Sequence, residues 1–224
     1  MLYALGEILL VMVGILLALQ VNNWNEWRKE RVEEKNILVN FKRDLTSDIE
    51  NHFNKHLLRS ESDMKKAQEL IDHASNGRPY HDSLRFHFGV LSATGGKDWT
   101  PQMTAYERLK SKGLDVIRND SLLNSILDIY NIDYPRITHV FENYLRNVFD
   151  YGRPIVRRKL LGIKREDAWS GLIPIDYASL RKHPEFLNTL RVLEGNSRQI
   201  NGHLIESKSN VETVITLINE ELAK

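Results

Sequence analysis

Residues 15–76 contain neither proline nor glycine, the two residues that most readily interrupt a helix. Within that stretch apolar side chains recur every fourth position, at Ile37, Phe41, Leu45, Ile49, Phe53 and Leu57. The spacing is helical, and because four exceeds 3.6 the stripe drifts around the helix axis. The pattern predicts one long helix that runs on from an apolar start and ends near "HASNGRP". A break at "QVNNWN", giving two separate helices, is the competing reading.

The apolar start, "ILLVMVGILLAL" at residues 8–19, carries no charge. As a helix it reaches only about 18 Å, against about 30 Å for a hydrocarbon core. Extending it from Leu2 to Val21 gives about 30 Å and takes in Glu7 and Gln20. Three structures could absorb such a run. A signal peptide needs a basic start and a small-residue exit, which "MLYALGE" and "ALQVNN" do not provide. A helix buried in a core is apolar all round. A transmembrane anchor fits best. Trp24 and Trp27 then suit an interfacial aromatic belt, and Asn22, Asn23 and Asn25 suit headgroups. Gly14 and Ala18 form a small-x-x-x-small pair through which two membrane helices can approach, so self-association or a partner membrane protein is expected. Glu7 would snorkel at one boundary or, in an oligomer, line a polar path with Gln20. Counting Arg28, Lys29, Arg31 and Lys35 after the span, the positive-inside rule sends the rest of the chain to the cytoplasm.

Beyond the stalk, helix punctuation recurs. Thr100 can cap a helix with Pro101 at its first position and Gly113 at its end. Asn119 or Asp120 can cap the next helix, and Pro135 predicts a kink or break. Leu190, Leu193, Ser197, Ile200, Leu204, Ser207, Val211, Val214, Ile218 and Leu222 form a seam stepping by three and four, with serines as weak points and Gly195 and Gly202 as potential kinks. No strand-like alternation stands out, and "GIKREDAWSGLIPIDYASLRKHP" reads as a structured connection. The predicted fold is therefore all-α: a transmembrane helix continuing into, or followed by, an antiparallel bundle. Its parts would be an anchor at 1–21, a stalk at 22–76 and the remaining bundle at 77–224, with a long terminal helix at about 184–222.

Little in the chain points to chemistry. The 31 basic and 30 acidic residues nearly cancel, which argues against nucleic acid, and the absence of cysteine removes thiolate chemistry. His52 and His56 have the spacing to share a metal, but no further ligand completes a set; solvated helix histidines are the simpler reading. Gly95 and Gly96 suit a turn better than a phosphate cradle. Arg153, Arg157, Arg158, Lys159, Lys164 and Arg165 form a basic cluster that could bind anionic lipid or simply face water. No nucleophile, base and oxyanion-donor set can be assembled and no cofactor motif occurs, so an enzyme is the least supported reading. A helical scaffold or sensor, associating with itself, is the leading one; an oligomeric pore or transport accessory is the alternative.

Two segments, "GEILLVMVGILLALQVNNWNE" and "TAYERLKSKGLDVIRND", resemble a bacterial family of single-anchor membrane proteins catalogued as a domain of unknown function. That resemblance implies an inner-membrane address. Relatives begin some way upstream with a basic amphipathic segment, which implies a native start before Met1 and a periplasmic bundle, against the charge count above. It supplies no catalytic residues.

Overall fold

A computed structural model describes residues 2–92, 99–165 and 168–224; the side chains of residues 2–9, 11, 163–165 and 168–170 lie outside the description, as does the Gly95–Gly96 pair. The chain is mostly helical. Helix α1, Leu2–Asp48, is continuous, so it does not break at "QVNNWN". A π-turn at Ile49–Phe53, closed by the Asn54 N–H donating to the Ile49 carbonyl, leads directly into α2, Asn54–Ser75. This turn resolves the drifting stripe. Each step of four residues overshoots a full turn by about 40°, and the extra residue of the π-turn takes back roughly 100°. Beyond it the buried face of α2 runs through Phe53, His56, Ser60, Asp63, Ala67, Leu70 and Ala74, a strict alternation of three and four.

A 3-10 stretch, Asp82–Leu91, returns along α2. Helix α3, Thr104–Lys112, then runs antiparallel to α1, since Ala105 lies at Asp44 and Arg118 at Glu34. It starts three residues later than the Thr100 cap would place it. The reason lies on α1, where carboxylates hold the backbone N–H groups of Gln102 and Ala105. Gly113, at φ +108°, ends α3. Asn119 caps α4, Asp120–Asp128, its side-chain oxygen accepting from the Leu122 N–H at 3.1 Å.

Helix α4 passes through a second π-turn, Ile129–Asp133, into α5, Tyr134–Asn147, and through a third, Val148–Gly152, into α6, Arg153–Lys159. Pro135 therefore does not break the helix. Pro135 and Pro154 each stand two residues beyond the end of a π-turn. A proline ring clashes with the carbonyl four residues back, and the wider turn opens that space.

The connection after α6 is a β-hairpin, which the sequence did not signal. Strands β1, Leu160–Arg165, and β2, Ala168–Pro174, pair antiparallel from Leu160 opposite Pro174 to Arg165 opposite Ala168, with an irregularity between Gly162 and Lys164. Glycines and charges hide the alternation. Gly171, at φ +104°, lies so close to the 3-10 stretch that a Cβ would come within 2.8 Å of the Arg85 carbonyl oxygen. A short helix α7, Tyr177–Leu180, precedes α8, Pro184–Leu222.

Helix α8 runs antiparallel to α1 and α2, bringing Asn201 to Ser60 and Glu221 to Arg31. Its seam from Leu190 to Ile218 is buried, but the final buried position is Glu221 rather than Leu222. Gly195 and Gly202 lie on its exposed side and the helix passes through both without interruption.

Candidate functional site

Three regions of the molecule carry chemistry beyond packing. The first is the start of α1. Leu10, Met12, Val13, Ile15, Leu16, Leu17, Leu19 and Val21 are all exposed, so among the described residues nothing covers these side chains on any side of the helix. Gly14, Ala18, Gln20, Asn22 and Asn23 are exposed on the same stretch, and Asn25 is half-buried. Glu7 belongs to the helix, with its side chain outside the described residues. Among the described residues no helix is long and apolar enough to cross a membrane. Trp24 stacks with the Arg28 guanidinium at 5.8 Å, and Trp27 with that of Arg118 at 5.4 Å.

The second region is a polar clasp where α1 enters the bundle. Glu34, fully buried, accepts from the Arg118 backbone N–H at 3.0 Å and from the Arg31 guanidinium. Arg31 also donates to the Glu221 carboxylate and backbone carbonyl, each at 3.3 Å. Asn119 donates to Glu221 at 3.0 Å while it caps α4, and Lys224 donates at 2.8 Å. These partners, Lys224 and Asn119 foremost, hold the Glu221 carboxyl down at about 2. Three chain segments, around residues 31–34, 118–119 and 221–224, thus meet on one ion network. Arg31, counted above among the charges that follow the apolar run, is committed to it.

The third region lies midway along the bundle, between two of the π-turns. Asp44 accepts from the Ala105 N–H at 2.9 Å. Asp48 accepts from the Gln102 N–H at 2.9 Å and from the Tyr134 hydroxyl at 2.7 Å. Burial raises the Asp48 carboxyl above its ordinary range in spite of these bonds. Around the pair Trp99, Phe53, Tyr134, Tyr130, Tyr106 and Phe41 pack edge to face or stacked, with ring centroids 4.5 to 5.8 Å apart. His52 and His56 join this cluster. Their rings are nearly parallel at 6.4 Å, and the buried His56 lies against Trp99 and Phe141. Among the described residues no group of three potential ligands could hold a metal. The two histidines are wall residues of an aromatic layer.

The basic cluster is only partly brought together. Arg157, Arg158 and Lys159 share the exposed last turn of α6, where cations suit the helix dipole. Arg153 is half-buried over the Phe149 ring, and Lys164 and Arg165 lie on β1 with side chains outside the description. Arg158 and Lys159 share a cavity with His183, Glu185 and Phe186 at the start of α8. The 39-residue length of α8 puts that end about 58 Å from the clasp.

A family model described as a family of unknown function, DUF6090, matches residues 7–152. The chain belongs to this family. No curated protein and no solved structure matches it. The DUF6090 match stops at the end of the third π-turn, so the hairpin and α8 lie beyond it. Yet α8 supplies Glu221 to the clasp and the longest packing partner of α2. Glu34, Asp44, Asp48 and Glu221 were not singled out in the sequence. Their signal was available: each falls in step with, or one place from, an apolar seam.

Proposed function

We propose that this DUF6090 protein is a membrane-anchored helical scaffold or sensor that associates with copies of itself. One observation carries the reading. An apolar helical stretch, Leu10–Val21, whose described side chains are all exposed, continues without a break into the part of the helix that the clasp fixes to the bundle. Exposed apolar surface of this extent belongs in lipid or against a partner. A rigid connection would transmit a change in the bundle to the anchor. The far position of Arg157, Arg158 and Lys159 favours a solvent-facing or partner-facing role over binding the bilayer that holds α1. We place the protein in the bacterial inner membrane with the bundle periplasmic, following the family resemblance over the charge count.

The test is extraction. The full chain should stay in the membrane pellet through an alkaline carbonate wash. Replacing exposed Leu16 and Leu17 by arginine should release it to the supernatant, since each arginine mid-membrane costs about 2.5–3.5 kcal/mol on insertion scales. Release of the unaltered chain by carbonate would overturn the proposal. Protease access to the bundle in intact spheroplasts reports the side.

A further inference from the structure

Between the clasp and the first π-turn, one longitudinal face of α1 is covered by none of the described residues. Val32, Asn36, Val39 and Arg43 are exposed there and step by four, three and four. At 100° per residue they lie opposite the buried Glu34, Leu38, Phe41 and Leu45. Because α1 is uninterrupted, the same stepping continues backwards through Lys29, Asn25, Asn22 and Ala18 to Ile15. Val39 also edges an open groove of about 530 Å³ that includes Thr46 and Leu222.

We propose that this face is the seam of a parallel homodimer, in which α1 of a second copy packs along Ile15, Ala18, Val32, Asn36 and Val39. The inference rests on the membrane-anchored reading, which supplies the direction. Two copies leaving one bilayer on the same side present identical helices in parallel, so each stripe residue meets its own counterpart.

The chemistry suits that arrangement and argues against an unrelated partner. Valine meets valine at positions 32 and 39. Asn36 meets Asn36 between the two valines, and an amide that both donates and accepts can pair with itself; a polar residue of this kind at a seam position fixes register in coiled coils. The two cations on the stripe carry local counterions: Lys29 pairs with Glu26 at 3.0 Å and Arg43 with Asp44 at 2.9 Å. The flanks are complementary in sign. Arg28, Lys35 and Lys42 border one edge, Glu26 and Glu33 the other, and parallel packing sets Arg28 of one copy near Glu33 of its mate. Two valines per copy make a weak seam in free solution. Confinement in one membrane raises the effective concentration that such a seam needs.

The chain has no cysteine, so single cysteines report contacts without background. Val32→Cys, Asn36→Cys, Val39→Cys and Ala18→Cys should give disulfide dimers as the main species on oxidation in membranes. The exposed controls Glu107→Cys and Glu212→Cys should stay monomeric. Val39→Glu, at an exposed position, should abolish dimers of Val32→Cys. Dimers at Ala18 with none at positions 32, 36 and 39 would overturn the seam and leave the anchor reading intact. Equal yields at stripe and control positions would overturn it too. If the unaltered chain is carbonate-soluble the anchor fails, and the same cysteine pattern then judges the stripe by itself.

Discussion

The α2–α8 seam and the polar face of α1 are both laid out on a helical period, but they bury polar groups in opposite ways. Along α8, Ser197 and Ser207 are fully buried with hydroxyls that meet no partner among the described residues. Along α1, Glu34, Asp44 and Asp48 are buried with backbone N–H groups as partners. The serines are small fillers in an apolar seam, whereas the carboxylates are the means by which residues 99–119 are tied down. A buried polar atom that is paired holds structure together, and one that is unpaired weakens it.

The sharpest test of that contrast is Asp48→Ala. It leaves the Gln102 N–H and the Tyr134 hydroxyl without an acceptor inside the aromatic cluster. The expected loss is about 3 kcal/mol, of the size found when a buried charged partner is removed. Chemical denaturation followed by tryptophan fluorescence measures it. A loss below about 1 kcal/mol would mean that the loop is held by packing and not by the carboxylate.

Glu221→Gln comes next, with an expected loss of about 2 kcal/mol, because the carboxylate that accepts from the cations Arg31 and Lys224 becomes a neutral amide. Its pH dependence is opposite in sign to that of Asp48. The Glu221 carboxyl sits near 2 when folded against an ordinary 4.5, so its stabilisation is present above 4.5 and disappears as the pH falls through about 2. Asp48 is raised above 3.8, so charging its carboxyl costs part of the stability that its hydrogen bonds supply; that cost is absent below 3.8 and complete once the pH has risen through the folded value. The unaltered protein should therefore weaken more steeply than Glu221→Gln in acid. Parallel acid titrations would show that Glu221 plays no such part.

These two regions also show what the sequence could convey. The α8 seam was readable because nine of its positions are apolar or small at strict spacing. Its tenth was misread, since Leu222 continued the apolar pattern while the geometry turned Glu221 inwards. The α1 carboxylates were invisible to a reading that followed apolar residues alone, although Asp44 and Asp48 each stand one residue before a stripe position. Pro135 predicted a kink or break without saying that a π-turn would let the helix absorb it. The hairpin left no trace because Gly162, Gly171 and flanking charges interrupt its alternation.

A smaller effect tests whether the exposed side of α8 is free of constraint. A Cβ built at Gly195 or Gly202 meets nothing within 4 Å. Gly195→Ala and Gly202→Ala should each stabilise the protein by up to about 1 kcal/mol, through helix propensity and a less flexible unfolded chain. Thermal denaturation would register the gain. A loss at either site would indicate that a second surface packs there.

The smallest expected change bears most directly on the contrast between the two faces. Ser207→Ala removes a hydroxyl that has no partner and leaves a side chain of nearly the same size in the seam. Helix propensity favours alanine by a few tenths of a kcal/mol, and relief of an unpaired hydroxyl adds to it, for a gain of about 0.5 to 1 kcal/mol. Ser60 differs, because its hydroxyl donates to Asn201 at 2.9 Å and fixes α2 against α8. Ser60→Ala should therefore cost about 1 kcal/mol where Ser207→Ala gains. The two substitutions remove the same atom from opposite sides of one interface, so their difference isolates the partner. If both destabilise equally, the Ser207 hydroxyl is bonded in solution, and the seam and the polar face obey the same rule.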